Sequence, residues 1–297
     1  MNKAIITAAS NKFFPSLINL LGSIKANYPN HPKIFVYDLG LFWSYREELK
    51  KIENVEVLPM PKFCRHWRQC YTWKTYIFYK PLARLNFYID AGSQVLYPLD
   101  EVFEFIERDD YFAVSQVLPL NMITPIEYRR IFSISEEYYS KECVTAGIFG
   151  FKENSKVTPI LNELYDAAVC GLCLGLSPRD SYRNKGPHKS DFVRNCELFR
   201  QDTTLLSLIL RKYLNNFIIH DINRYAAISL DKQGQKQLIW NVRMNYLTLN
   251  YLNTKFLHRK SSLILYLNRL IVRTFLFLRV IKLYLQGNAK KIKSLQN

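Results

Sequence analysis

The chain has 297 residues, 48% hydrophobic and 14% aromatic, enough for one large core or two small ones. Its formal net charge is +16, yet thirteen of the 41 cations follow Asp231 and no acidic residue does, so 28 cations face 25 acids before them. A near-neutral body excludes a uniformly basic nucleic-acid surface and leaves a basic tail suited to anchoring or docking.

In chain order, residues 4–8 form a short apolar run ending in small side chains, which predicts a first strand. It lacks the length and cleavage site of a secretory signal. Helical spacing follows over 13–26 and is punctuated by Pro29 and Pro32. Residues 34–37 predict a strand ending at Asp38, 44–52 a helix and 55–58 a strand. Residues 69–85 read as a long aromatic helix with a break at Pro81, and 87–89 as a strand running into Asp90-Ala91-Gly92-Ser93. The second half offers strands over 111–117 and 145–151 and helices over 157–169 and 203–214. A polar loop with several cations spans 177–191. Alternating strands and helices predict an α/β fold with an open, mostly parallel mixed sheet flanked by helices. Ligands in such sheets bind outside the carboxyl ends of the strands, which gathers Ala8-Ala9-Ser10-Asn11, Asp38 and Asp90 at one edge.

Asp90, where an apolar strand meets a glycine turn, is placed to hold a divalent cation (manganese or magnesium) against phosphate oxygens. The alternative is a turn-capping aspartate with Gly92 at positive φ. Lys74, on the preceding helix, would meet phosphate as a point charge, or simply face solvent. In Thr145-Ala146-Gly147-Ile148-Phe149-Gly150-Phe151, small residues admit a sugar to the backbone, or mark a tightly packed strand with a bulge. In Arg200-Gln201-Asp202-Thr203-Thr204, Gln201 or Asp202 would face a sugar, or Asp202 or Thr203 would be an ordinary N-cap. Phe256-Leu257-His258-Arg259-Lys260 combines an imidazole with cations. Cys170 and Cys173 lack the second ligand pair of a zinc site, and all six cysteines read as free thiols of a reducing compartment.

Taken in order, Ile5-Ile6-Thr7-Ala8-Ala9-Ser10-Asn11, Tyr28-Pro29, Ile34 to Gly40, Lys74, Tyr-Ile-Asp-Ala-Gly-Ser, Thr-Ala-Gly-Ile-Phe-Gly-Phe and Gln-Asp-Thr-Thr resemble the GT-A glycosyltransferases. The likeness is to glycosyltransferase family 8 and related bacterial surface-polysaccharide transferases, and it covers roughly residues 3–260. It implies a hexosyltransferase that moves a hexose from a nucleotide sugar, UDP-linked by expectation, to a glycan or lipid-linked acceptor. The resemblance implies that Ala8 and Ser10 line the base and ribose pocket, with Asp38 also on the donor side. Lys74, Ala146, Gly147 and Lys260 would touch the donor. Gln201 would stand near the anomeric carbon with Asp202 beside it, and Asp90, Ser93 and His258 would hold the metal. The chain departs from the family pattern in four places. The second metal-motif aspartate is Gly92, the carboxylate near the base is Ser10, and the asparagine before Ala146 is Thr145. The late His motif also lacks its Gly-x-x-Lys-Pro-Trp continuation.

Residues 261–297 form a separate basic, amphipathic tail. On a helical wheel Leu263, Leu267, Leu270, Phe277 and Ile281 share one face, with Arg269, Arg273, Arg279 and Lys282 around the other side. That pattern predicts a helix lying on an anionic membrane surface, and with it a peripheral location on the cytoplasmic face. Packing against the body is the alternative. The leading reading expects no nucleic acid. Its rivals are a non-enzymatic basic membrane- or nucleic-acid-binding protein and a GT-A scaffold that binds a nucleotide sugar without transferring it.

Overall fold

A computed structural model describes residues 1–154, 156–175, 199–214, 217–227, 237–242, 251 and ten positions between 263 and 281. The chain runs β1 (Lys3–Ala9), α1 (Phe14–Asn27), β2 (Lys33–Asp38), α2 (Trp43–Lys50), β3 (Val55–Pro59), α3 (Thr72–Tyr79), β4 (Leu85–Ile89) and β5 (Gln94–Val95). There follow α4 (Asp100–Asp109), β6 (Tyr111–Pro119), α5 (Leu120–Ile123), α6 (Ile126–Phe132), β7 (Glu142–Lys152), α7 (Thr158–Val169), α8 (Gln201–Tyr213), α9 (Ile222–Tyr225) and β8 (Ile239–Trp240).

The main sheet has six strands in the order β3-β2-β1-β4-β7-β6. β1 pairs parallel with β4 and β2 with β3, while β6 and β7 are antiparallel. The mixed, mostly parallel α/β class expected from the sequence is the class observed. All five residues of β4 are buried, as a strand covered on both faces requires.

Two expectations need correction. The long aromatic helix over 69–85 shrinks to α3, because Pro81 drives Lys80 out of the helical region (φ −110°, ψ 88°) and because Cys70 and Tyr71 enter it in left-handed conformations. α4 has no counterpart among the expected elements. Its signals are nonetheless present: Val102, Phe103 and Ile106 are buried on one face, acids occupy the first turn and Arg108 the last.

The chain divides into two compact units that interleave in sequence. One comprises residues 1–6, 60–88 and 100–222, the other 7–59, 89–99 and 223–297. In the first, α3 packs on α7 and α8 packs on β7. In the second, α1 presents a buried polar stripe to β5. Asn19 Nδ2 donates to Gln94 Oε1 (3.2 Å), Ser23 Oγ accepts from Val95 N (3.0 Å) and Asn27 Nδ2 donates to the Val95 carbonyl (2.8 Å). Tyr251 N donates to Asn19 Oδ1 (3.0 Å), and the approach is so close that a Cβ on Gly22 would lie 2.7 Å from the Tyr251 carbonyl oxygen. The same stripe therefore fixes the turn that precedes β5, which carries Asp90 and Ser93.

Candidate active site

In the first unit three of the sequence motifs meet. Lys74 projects from α3 and Asp202 from the first turn of α8, with Lys74 Nζ 2.9 Å from Asp202 Oδ2 and the two side chains only 4% and 9% exposed. Rings of Tyr71, Trp73 and Tyr88 lie 5.3, 5.6 and 5.3 Å from the ammonium. Aromatic faces and a carboxylate together compensate a charge that burial would otherwise penalise. Lys74 is thus not a solvated helix face. The N-cap alternative for Asp202 also fails, since Arg200 occupies the N-cap and Asp202 lies inside the first turn.

The motif around Ala146 and Gly147 belongs to the same place. Opposite the single residue Val114 of β6, strand β7 carries the four residues 145–148, a bulge between the pairs Ala113–Phe149 and Ser115–Val144. Hydroxyl groups take up backbone donors in and beside the bulge. Ala146 N donates to Thr203 Oγ1 (3.2 Å), Gly147 N to Thr145 Oγ1 (3.1 Å) and Val144 N to Ser207 Oγ (3.0 Å). Thr203 and Ser207, one turn apart on α8, thereby lock the bulge to the helix that supplies Asp202. Gln201 opens that helix at φ 39°, a left-handed conformation rarely held by a non-glycine residue.

The two buried thiols of this unit are chemically quiet. Burial pushes Cys173 well above its usual pKa and the Asp202 charge pushes it further, while burial raises Cys143 to about 12. Among the described residues Cys64, Cys70, Cys143, Cys170 and Cys173 form no disulfide. Cys196 lies outside the described residues.

In the second unit Asp38 ends β2 and organises the loop after it. Its Oδ1 accepts from Gly40 N (2.7 Å) and Leu41 N (2.6 Å), and its Oδ2 pairs with Arg46 Nη1 (3.3 Å). Gly40 sits at φ 106°, which this Asx turn requires of it. Ala8 is buried within β1, and Ser10 follows the strand half-exposed and caps the next turn through its carbonyl (Phe13 N, 2.9 Å). After β4, Ser93 N closes a turn on the Asp90 carbonyl (3.0 Å). Gly92 is not left-handed here, so the reading of this turn as one that needs a positive-φ glycine is overturned. The Ser93 hydroxyl is buried and has no hydrogen-bond partner among the described residues.

His258, Lys260 and the loop over 177–191 lie outside the described residues. Among the described residues no three His, Cys, Asp or Glu side chains gather as a metal site. The sequence reading missed Tyr71, Trp73, Tyr88 and Thr203. The aromatic density on either side of Lys74 was the signal for the first two.

No protein-family model and no curated protein matches the chain. Several solved structures are similar in fold. A galactosyltransferase in complex with donor and acceptor sugar analogs is 12% identical, with 80% of this chain and 86% of that chain covered and a TM-score of 0.48. Mouse xyloside xylosyltransferase 1 in its apo form is 9% identical over 81% and 96%, with a TM-score of 0.49. Core-mannan synthase A from Aspergillus fumigatus in its Mn/GDP form is 11% identical over 75% and 73%, with a TM-score of 0.46. At these identities and TM-scores the likeness assigns neither a family nor an activity.

Proposed function

We propose that this chain is a GT-A type glycosyltransferase that moves a hexose from a nucleotide sugar, UDP-linked by preference, to a glycan or lipid-linked acceptor of surface polysaccharide or lipopolysaccharide synthesis. The observation that carries this reading is the buried Lys74–Asp202 pair, held in an aromatic cage and tied through Thr203 to the bulge over 145–148. A carboxylate fixed in a poorly solvated setting can accept sugar hydroxyl protons and oppose positive charge developing at an anomeric carbon. Gln201, next to it, is a neutral donor and acceptor for the same sugar. The small side chains of Ala146 and Gly147 leave the backbone open to a flat ligand.

On the nucleotide side, Ala8, Ser10 and Asp38 would frame the base and ribose, and Lys260 would meet the diphosphate. A divalent ion fits the turn at Asp90 in part. Asp90 offers a hard oxygen and the orphaned Ser93 hydroxyl a second, and His258, which lies outside the described residues, would add a nitrogen. Such an ion, when bound, would neutralise charge on the departing diphosphate.

The test is a thermal-shift screen of UDP-sugars with and without manganese. Stabilisation by at least one UDP-sugar, enhanced by the metal, is expected, because a ligand that binds only the folded state raises its stability. No response to any nucleotide sugar overturns the reading and favours a non-enzymatic binder. Binding without donor hydrolysis or transfer would leave a catalytically degenerate scaffold. In the variant Asp90→Ala, donor binding should lose its metal enhancement; an unchanged enhancement would put the metal elsewhere.

A further inference from the structure

The ten described positions of the tail are all helical, and nine of them are apolar. Leu263, Leu267, Leu270, Thr274, Phe277 and Ile281 follow one another at steps of four and three residues, so they form one continuous seam. The large apolar side chains of this seam are between 38% and 71% exposed, so the described residues do not cover them. The one polar member turns its hydroxyl inward, Thr274 Oγ1 donating to the Leu270 carbonyl at 3.0 Å, and leaves a methyl group for the surface. An exposed apolar face of this length marks a contact surface.

Two occupants fit a seam with this spacing. A second copy of the chain would do so as a coiled coil, but such pairs draw on opposite charges beside the seam. Here no Asp or Glu follows Asp231, and Arg269, Arg273, Arg279 and Lys282 fall inside the same stretch of sequence. Two copies would lay like charge against like charge with no acid to relieve it. The same cations suit an anionic lipid surface. Among the described residues no helix is long and apolar enough to cross a membrane.

We propose that this face lies in the plane of an anionic bilayer, its apolar residues at the acyl boundary and its cations among the headgroups. The inference is independent of the transferase reading and survives its failure.

Co-sedimentation of the full chain with vesicles tests it. Binding to mixed phosphatidylcholine–phosphatidylglycerol vesicles should be at least about tenfold tighter than to phosphatidylcholine alone and should weaken as salt rises. The double variant Leu270→Glu/Phe277→Glu should lose about tenfold in vesicle affinity while its thermal transition stays unchanged, because both side chains are exposed. Equal affinity for the two vesicle types overturns the proposal. So does a concentration-dependent dimer in sedimentation velocity without vesicle binding. Resistance to alkaline carbonate extraction from cell membranes would overturn the in-plane arrangement.

Discussion

Lys74 and Asp202, 128 positions apart in the chain, form an ion pair of 2.9 Å with both side chains less than a tenth exposed. Pairs buried this deeply are costly to break from one side, because the remaining charge is stranded. Lys74→Met or Asp202→Leu alone should each destabilise the protein by about 3–5 kcal/mol in urea unfolding. The double variant should recover most of that loss. Additive losses in the double-mutant cycle would show that the two residues act independently.

Gly150 in β7 meets α4 without room for a methyl group. A Cβ there would lie 2.4 Å from Ile106 Cδ1 and 3.0 Å from Phe112 Cβ. Gly150→Ala should therefore cost about 1–3 kcal/mol by overpacking. Adding Ile106→Val removes the nearest atom and should restore part of the stability, as calorimetry can check.

Val117 is a β-branched residue at φ 57°, 58% exposed, where the register of β6 slips between Ser115 and Pro119. That conformation favours Asn or Gly over Val, and little burial is lost on replacement. Val117→Asn should raise stability by about 1 kcal/mol. A drop would mean that the Val117 side chain is held by contacts worth more than the strain.

His220 packs between Phe105 and Phe112, with ring centroids 4.3 and 4.6 Å away. Burial lowers its pKa from 6.5 against the pull of Asp109 and Glu101, with Arg108 assisting the decrease. The folded state then binds fewer protons than the unfolded one. Stability is full above the unfolded pKa of 6.5 and is lost as pH falls through it toward the folded value. His220→Phe should flatten the pH dependence of unfolding below about pH 6.5. His31, also lowered by burial, contributes to the slope that remains, as do Glu107, Asp109 and Glu163, whose pKa values their cationic partners lower.

Much of the fold was legible. The β1, α1, β2, α2 and β3 segments lie within one or two residues of their expected bounds, because each carries an apolar period and three of them, α1, β2 and β3, are closed by Pro29, Asp38 and Pro59. The limits of α3 and the presence of α4 were not. The first depended on two left-handed residues that no composition rule marks, and the second on a short amphipathic run that reads equally as a loop. Of the site, Lys74, Ala146, Gly147, Gln201 and Asp202 could be named from their motifs, and each also had an ordinary explanation.

The sequence by itself determined the α/β class, the near-neutral body with its basic tail, and the order of the motifs. These follow from local periodicity and charge, which need no long-range contact. Only the tertiary structure decided that Lys74 is buried against Asp202, that residues 145–148 break the register of β7 against β6, and that Thr203 and Ser207 receive backbone donors in and beside that bulge. Those outcomes depend on which helix packs on which strand. A lysine reads the same in sequence whether it meets water or a carboxylate, and its surroundings settle which.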